Sequence, residues 1–485
     1  MKKSIFVRIL SLTLVLALGL SVFAGCGPKK QQEAGVIYVG NTAGTTGALA
    51  AIGVPFNLGI EAAFAVYNAK AAAEGRTQVV LKHYDDKGEA AKSISLMEKL
   101  IFEDQVFAIV GNYGGYAVNV NLDLLKENEV PMVYAAAGID ALYNKNAQSL
   151  GDRGIFPVQP LNMTEGQALL IRAFADAYVL NPEAELGYDL TGGLGATKVG
   201  VISNQNEASA STLKGIKLAQ NDLPASKKNN VVIQEVSGSD FSGAANAIVN
   251  AECDTVILTV IGNDFVAALT ALNNAGYKGN VLTSYNNSSA AVLNDASGKI
   301  TASGAQILAN MTVYAQGWLD ISSLTYEYKK DTALYKMYVA QGTIKEGEGV
   351  VGFNEEYWRV AENIYNYAAT LNDSNINPWA MSYNSYALAG YIAGELFCKG
   401  LEALENSGKE ITRANFVEIM ESQAYKLAMA DTISYAGGSR TGVEVFSLGV
   451  FYNAADLGLG LAPAASSATY SGLKSIEELK ALVSE

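Results

Sequence analysis

The side chains that most often perform catalysis are scarce in this chain. It has a single histidine, His83, and three cysteines, Cys26, Cys253 and Cys398. Their spacing fits neither a zinc site nor a cysteine–histidine catalytic pair. A hydrolase would need a nucleophile beside an activating base, and His83 ends a predicted strand without an identifiable partner. We therefore predict no catalytic residue, no metal and no cofactor.

Two loops that follow apolar strands are better candidates for a binding site. Residues 106–110 and 131–138 are continuous apolar runs, which are typical of strands buried on both faces of a parallel sheet. The first run leads into the loop GNYGG and Tyr116, and the second ends in AAAG. Open α/β sheets bind ligands beyond the carboxyl ends of their strands. Another glycine-rich loop, at residues 44–47, lacks the lysine of a phosphate-binding loop.

Composition limits the size of the fold and the kinds of partner. The chain has 485 residues, of which 49% are hydrophobic, enough for two or more domains with their own cores. Its net charge of -14 repels the phosphates of nucleic acids, so we predict no nucleic-acid partner. Cys253 and Cys398 lie in apolar segments and are predicted to be buried thiols, although a bridge between them stays open.

The first 25 residues have the pattern of an export signal. Basic residues precede an apolar run, residues 9–23, that is too short for a stable membrane span. The run leads into FAGC, which resembles the bacterial lipobox with Phe23 in place of the usual leucine. This resemblance implies cleavage before Cys26 and a lipid anchor on its sulfur. Residues 26–35 are predicted to be a polar tether. The alternative is a plain secretory signal with a spare cysteine.

From residue 36 onward, strand and helix patterns alternate in two similar series, the second beginning near residue 199. The short connections suit right-handed crossovers and predict an α/β fold. The stretch 183–197 is predicted to be an inserted surface loop. Beyond residue 304 the pattern loosens. There we predict a strand at 305–315, helices at 324–341, 355–371 and 381–404, a helix capped by Thr412, a strand at 442–453 and a short terminal helix.

Several of these segments, taken together and in order, resemble the type I periplasmic binding proteins, in particular the branch that binds leucine, isoleucine and valine. They are YDD at 84–86, AIVGNYGG at 108–115, MVYAAAG at 132–138, DFS at 240–242, VIL at 256–258 and NNAGYKG at 273–279. The resemblance implies two doubly wound three-layer α/β/α lobes joined by a three-strand hinge. The implied lobes are residues 36–159 with 312–447, and residues 160–311 with 448–485.

The resemblance also implies where a ligand would bind in lobe 1. Relatives offer serine hydroxyls at a loop that corresponds here to Gly114, Gly115 and Tyr116. Relatives place an alanine carbonyl and a threonine where this chain has Ala136, Ala137 and Gly138. Losing two hydrogen bonds to a charged group, each worth about 1.5–3 kcal/mol, would weaken binding by roughly two to four orders of magnitude. Other groups must therefore replace them, or the ligand is not a plain α-amino acid.

In lobe 2 the resemblance implies four further binding residues. The family's aromatic residue after the first strand corresponds to Glu207 or Ala208, and Asp264 lies in the loop after the next parallel strand. Tyr285 and Asn286 fall near the acid that binds the ligand ammonium in relatives. Glu207 or Asp264 could take over that role here. Alternatively, each acid is a solvated carboxylate in a loop and does not bind the ligand. For Tyr116 and Tyr285 the alternative is that their side chains pack at the mouth of the cleft.

The favoured interpretation is a solute receptor for import, with an amino acid or similar small polar molecule as ligand. The resemblance implies an ABC permease and its ATPase subunits as partners, a lipid-anchored position outside the cytoplasm, and a monomer. A second interpretation keeps the fold but makes the protein a sensor that serves a signalling partner. An enzyme on this scaffold is the third interpretation, and it lacks a catalytic pair.

Overall fold

The computed structural model describes residues 35–177, 179–180, 188–189, 192–295, 297–319, 336, 339–340, 355–457 and 462–484. The predicted signal peptide and lipobox, most of the tether, residues 183–187 and 190–191 of the inserted loop, and most of the predicted helix at 324–341 lie outside these residues. The elements below are numbered in chain order.

The first sheet, called sheet 1, has five parallel strands in the order β2-β1-β3-β4-β5. The strands are β1 Val36–Ala43, β2 Gln78–Asp85, β3 Ile109–Val110, β4 Met132–Val133 and β5 Ile155–Phe156. Helices α1 Ala50–Glu74, α2 Ala90–Glu98, α3 Gly115–Glu127 and α4 Leu150–Arg153 connect them. A π-helical turn, Lys99–Glu103, extends α2. Each crossover places a helix against the sheet, which is why the strands are apolar on both faces.

The second sheet, called sheet 2, has seven strands in the order β16-β15-β12-β11-β10-β8-β9. They are β8 Val199–Asn204, β9 Val231–Val236, β10 Thr255–Leu258, β11 Asn280–Thr283, β12 Thr312–Gly317, β15 Val445–Asn453 and β16 Ala465–Ser475. Strands β8 to β12 are parallel, whereas β15 and β16 are antiparallel. The helices of this part are α5 Asn162–Phe174, α6 Glu207–Asp222, α7 Ala225–Lys228, α8 Ser242–Asn250, α9 Asn263–Asn274 and α10 Ala302–Asn310.

After sheet 2 the chain returns to sheet 1 and adds helices to it. They are α11 Glu355–Thr370, α12 Pro378–Ser382, α13 Ser385–Asn406 and α14 Arg413–Ser422, and the chain ends with α15 Ile476–Lys480. Two small antiparallel pairs lie outside the main sheets, β6 Val179–Leu180 with β7 Tyr188–Asp189 and β13 Ala424–Lys426 with β14 Thr432–Ser434.

Each sheet has a hydrophobic core on both faces, which gives two three-layer α/β/α lobes. In lobe 1 the larger core contains α1, α13 and α14, and the smaller one lies under α2 and α3. Helix α1 is long and apolar enough to cross a bilayer, but most of its apolar length is buried against protein. It packs so closely on α13 that Gly59 and Gly390 contact backbone of the opposite helix. The predicted α/β fold of two lobes with parallel sheets is confirmed.

Along its described elements the chain changes lobe three times, and we call these connections the first, second and third passages. The first, residues 157–161, and the third, residues 440–444, run side by side. The amide of Val443 donates to the carbonyl of Val158 at 2.9 Å, and the Thr164 hydroxyl donates to the carbonyl of Thr441 at 2.8 Å. The second passage begins after β12. The predicted lobe boundaries stay a prediction, and strand β12, which they assign to lobe 1, pairs within sheet 2.

Some predicted elements are confirmed and others differ. The helices at 355–371 and 381–404, the helix capped by Thr412 and the strand at 442–453 are present. The predicted strand at 305–315 is wrong over its first half, because residues 302–310 form α10. The side chain of Thr301 accepts a hydrogen bond from the Gly304 amide at 3.0 Å and so begins a helix there.

Candidate functional site

The two predicted loops of lobe 1 lie together at the carboxyl edge of sheet 1. The amide of Gly114 donates to the Ala136 carbonyl at 3.2 Å, and the Ala136 amide donates to the Asn112 carbonyl at 2.9 Å. Gly114 has a φ of 96°, which a side chain would strain. The backbone of Ala136 therefore joins the two loops.

Helix α3 begins at the glycine loop and points its amides out of the sheet edge. Its first residues, Gly115 and Tyr116, follow Gly114, and no described side chain caps the helix. An uncapped helix N-terminus carries amide donors and a partial positive charge, both of which suit a carboxylate. The amides of this loop can therefore replace hydroxyl groups as donors.

The side chain of Tyr116 has a supporting role. Its hydroxyl donates to a carboxylate oxygen of Asp86 at 2.8 Å, and Asp86 is fully buried beside the end of β2. Burial and this hydrogen bond both raise the pKa of the Tyr116 hydroxyl. Tyr116 thus fixes the start of α3 to the end of β2, and its hydroxyl is engaged by Asp86.

A buried polar network lies beneath this loop. The Thr42 hydroxyl lies 2.8 Å from the Ser93 hydroxyl and donates to the Asn112 side chain at 3.1 Å. Asn121 donates to Ser93 at 2.9 Å. These four side chains come from β1, α2, the glycine loop and α3, so they hold the loop against three other elements.

Gly138 lies beside the end of the first passage between the lobes. Its carbonyl accepts a hydrogen bond from the Asn162 amide at 3.0 Å. A side chain at this position would overlap with the Asn162 side chain. Ala137 precedes it and is buried. The AAAG segment therefore connects the binding edge of lobe 1 to the start of helix α5 in lobe 2.

On lobe 2, the structure places Glu207 and Asp264 at the ends of the neighbouring strands β8 and β10. Glu207 is exposed at the start of α6, and the Asn204 side chain donates to the carboxylate of Asp264 at 2.8 Å. The side-chain oxygen of Asn204 accepts a hydrogen bond from the backbone amide of Asn206 at 3.2 Å. The two acids therefore lie at one edge of sheet 2, where they are accessible to a cationic group.

Tyr285 is fixed between the lobes instead of extending freely into a cleft. Its hydroxyl donates to the Pro160 carbonyl at 3.1 Å and accepts from the Gln159 side chain at 3.2 Å. Its amide donates to Glu165 at 2.7 Å. Asn286 is exposed and donates to the Ser284 hydroxyl at 3.0 Å through its side chain.

Glu165 is a residue that the sequence did not single out. It is fully buried, and its carboxylate accepts from the Tyr285 amide and, at 2.7 Å, from the Ser284 hydroxyl. Burial raises the pKa of Glu165 to about 7, even though both hydrogen bonds favour the charged form. Acidic residues are common in the first turn of a helix, where they interact favourably with the helix dipole. The sequence therefore gave no indication that Glu165 is buried.

Five aromatic side chains, which we call the aromatic row, extend from the second passage between the lobes to the surface of lobe 1. Neighbouring ring centroids are separated by 6.4, 6.0, 5.6 and 6.4 Å. In order, the row consists of Trp318, Tyr134, Phe56, Tyr113 and Tyr386. Tyr134 follows β4 and Trp318 follows β12, so their contact joins the carboxyl edges of the two sheets. Tyr134 also has a φ of 59°, an uncommon conformation for a bulky residue.

The other candidates for chemistry have structural positions. Cys253 and Cys398 are free and buried, which confirms the prediction of buried thiols. His83 lies between Asn41 and Thr45, at 2.9 and 3.0 Å. Within the ranges that the structure describes, no group of three histidine, cysteine, aspartate or glutamate residues could hold a metal ion.

Comparison with protein families matches residues 36–320 to the model described as "Periplasmic binding protein". The chain belongs to this family. Its members are solute-binding proteins, and membership implies a location outside the cytoplasm. Comparison with curated protein sequences finds no match.

Solved structures of periplasmic binding proteins resemble the whole described fold. A branched-chain amino acid ABC transporter protein from Thermus thermophilus, solved with bound valine, has a TM-score of 0.56 and 13% identity, covering 93% of this chain and 99% of that one. A leucine-binding protein from Thermotoga maritima has a TM-score of 0.53 and 14% identity, covering 91% and 99%. A fatty acid ABC transporter substrate-binding protein from Thermomonospora curvata has a TM-score of 0.52 and 12% identity, covering 92% and 94%.

At these identities the likeness establishes the fold of this periplasmic binding protein and leaves its ligand to be inferred from its own residues. One of these structures contains bound valine and another is a fatty acid transporter protein, so the ligands of similar folds differ widely. The cleft edges of this chain are therefore the better guide to its ligand.

Proposed function

We propose that this protein is the extracytoplasmic solute-binding lipoprotein of an ABC importer. It binds an amino acid or a similar small polar molecule between its lobes and delivers it to a membrane permease. The observation that carries this proposal is the complementary character of the two edges. Lobe 1 offers uncapped amides at Gly115 and Tyr116, and lobe 2 offers the carboxylates of Glu207 and Asp264.

A zwitterionic ligand suits this arrangement. Its carboxylate would accept hydrogen bonds from the first amides of α3, where the helix dipole adds a favourable charge. Its ammonium would lie near Glu207 or Asp264. Similar structures that are described as amino acid ABC transporter proteins support the same ligand class.

Binding can be tested by thermal shift with single amino acids, purines and aromatic acids. A ligand that binds only the folded state raises stability by RT ln(1 + [L]/Kd), which is about 2.7 kcal/mol at a hundredfold excess over Kd. We expect at least one amino acid to raise Tm. A shift with another class alone would contradict the amino-acid assignment, and Glu207→Gln with Asp264→Asn should weaken any amino-acid shift.

The lipid anchor on Cys26 belongs to the same proposal. The support is the FAGC sequence after an apolar run, followed by a polar stretch before the first strand. We expect Cys26→Ser to release the protein from membranes into the soluble fraction. Continued tight membrane association of the variant would contradict lipidation. The protein is expected to be a monomer that contacts the permease and its ATPase subunits.

A further inference from the structure

The aromatic row changes from buried to exposed along its length. Tyr134 and Phe56 are each 1% exposed, and Trp318 is 8% exposed. Tyr113 is half-buried, and Tyr386 is 38% exposed at the second residue of α13. Only the outer two rings are therefore accessible to a bound molecule, while the inner three hold them in position.

Tyr113 places an aromatic ring beside the amides that the proposed function assigns to a carboxylate. It lies one residue before Gly114 and two before Gly115, the first residue of α3. A parallel bridge between Tyr113 and Ala136 fixes its backbone. Burial, and to a smaller extent Tyr386, raises the pKa of the Tyr113 hydroxyl to about 12, so the ring stays uncharged at physiological pH.

Tyr386 extends the same surface outward from Tyr113. Its ring is perpendicular to that of Tyr113, with an interplanar angle of 90°. The Asn384 side chain accepts hydrogen bonds from the Tyr386 and Ala387 amides at 2.9 and 3.2 Å, so the start of α13 is firmly capped. Two rings held at right angles form an open corner, and a third ring can contact both in the offset or edge-to-face arrangements that aromatic pairs prefer.

We propose, on the basis of the proposed function, that the ligand is an aromatic amino acid whose ring contacts Tyr113 and Tyr386. The carboxylate accepts hydrogen bonds from the amides at the start of α3, and the ring lies in the corner formed by the two tyrosines. Aromatic contacts supply binding where serine and threonine hydroxyls are missing. An aliphatic side chain of similar size gains burial there but no ring–ring contact.

The test is isothermal titration of the full chain without residues 1–25 with phenylalanine, tyrosine, tryptophan, leucine, isoleucine and valine. We expect at least one aromatic amino acid to bind about tenfold more tightly than leucine. Tyr386→Ser should weaken aromatic binding about five- to tenfold, since an aromatic pair contributes roughly one factor of ten or less. Tyr386→Phe keeps the ring and should keep the affinity.

Tyr383→Ser is the matched control. Tyr383 is 50% exposed and lies three residues before Tyr386, but its ring contacts Trp379 and lies outside the aromatic row. The control should bind as the unaltered protein does. Circular dichroism and Tm confirm that each variant is folded.

Each outcome is decisive. If leucine, isoleucine or valine binds as tightly as the best aromatic amino acid, this inference is overturned while the proposed function stands. If Tyr386→Ser keeps full aromatic affinity, the role of the tyrosine corner is overturned. If none of the six amino acids binds to folded protein, this inference is overturned, and the thermal-shift panel with all single amino acids then decides separately whether the amino-acid assignment stands.

Discussion

The backbone amide of Tyr285 donates a 2.7 Å hydrogen bond to the carboxylate of Glu165. The first residue follows a strand of sheet 2, and the second lies in the helix that begins just after the first passage from lobe 1. A titratable group is thereby buried where the lobes join.

Glu165 should make stability depend on pH. Its pKa is about 7 in the folded protein, against 4.5 for an ordinary glutamate. The folded state therefore retains a proton between pH 4.5 and 7 that the unfolded chain releases. The resulting stability is fully present below pH 4.5 and is lost as the pH rises to about 7, a total of about 3 kcal/mol. Glu165→Gln should remove this component, measured by urea denaturation across this range.

The exposed Glu98 provides the control for this experiment. Glu98→Gln should show the pH dependence of the unaltered protein. A Glu165→Gln variant whose stability changes with pH just as the unaltered protein does would contradict the assignment of the raised pKa.

The contact between α1 and α13 should be intolerant of any added side chain. A Cβ at Gly390 would overlap with the carbonyl oxygen of Phe56. Gly390→Ala should therefore lower the free energy of unfolding by about 2 kcal/mol or more, because the two helices must separate. Gly243, in the first turn of α8, has open space around it, so Gly243→Ala should raise stability by about 0.5–1 kcal/mol. Equal effects of the two substitutions would be inconsistent with close helix packing.

Arg440 should be a major stabilising residue beside the third passage. It is 1% exposed, forms an ion pair with Glu421 at 2.6 Å and donates to the carbonyls of Tyr435 and Ser439 at 3.1 and 2.7 Å. Its guanidinium also lies 4.9 Å from the Phe156 ring centroid. Arg440→Met should lower stability by about 3 kcal/mol because Glu421 loses a buried partner.

The ammonium group of lysine cannot reproduce the planar arrangement of hydrogen bonds that the guanidinium of Arg440 makes. Arg440→Lys should therefore recover only part of the loss in chemical denaturation. Full recovery by lysine would show that charge alone matters at this position.

The ion pair between Asp140 of lobe 1 and Lys214 of lobe 2 should contribute little. The two side chains are 33% and 62% exposed, and water screens such pairs. Asp140→Asn should change the free energy of unfolding by less than about 1 kcal/mol, and the difference should shrink further in 1 M salt. A loss of several kcal/mol that persists in high salt would instead indicate a buried electrostatic contact.

Much of the fold could be predicted from the sequence because its strands and helices have strong patterns. Helix α13 is apolar around most of its circumference, and it is present within a few residues of its predicted bounds. Strands β3 and β4 are only two residues long, because the apolar runs that contain them continue as loops at the sheet edge. Apolar character indicated burial in both parts of each run, but it could not separate strand from buried loop.

The candidate site was less predictable, for a physical reason. The sequence placed Gly114, Gly115 and Ala136 at the correct edge, but it could not show that Ala136 bonds within its own lobe. The role of Tyr134 depends on its contacts with Phe56 and Trp318, which are 78 and 184 residues away along the chain. Contacts between such distant residues leave no local pattern.

The two hydrogen bonds that join the third passage to the first passage and to the start of α5, Val443 to Val158 and Thr164 to Thr441, have a consequence for motion. Two connections bonded to each other behave as a single ribbon, so neither can stretch or twist alone. Rotation of one half of the molecule against the other should then follow one axis along that ribbon, with a single angle describing every intermediate. One pair of spectroscopic labels placed across the gap would suffice to follow it.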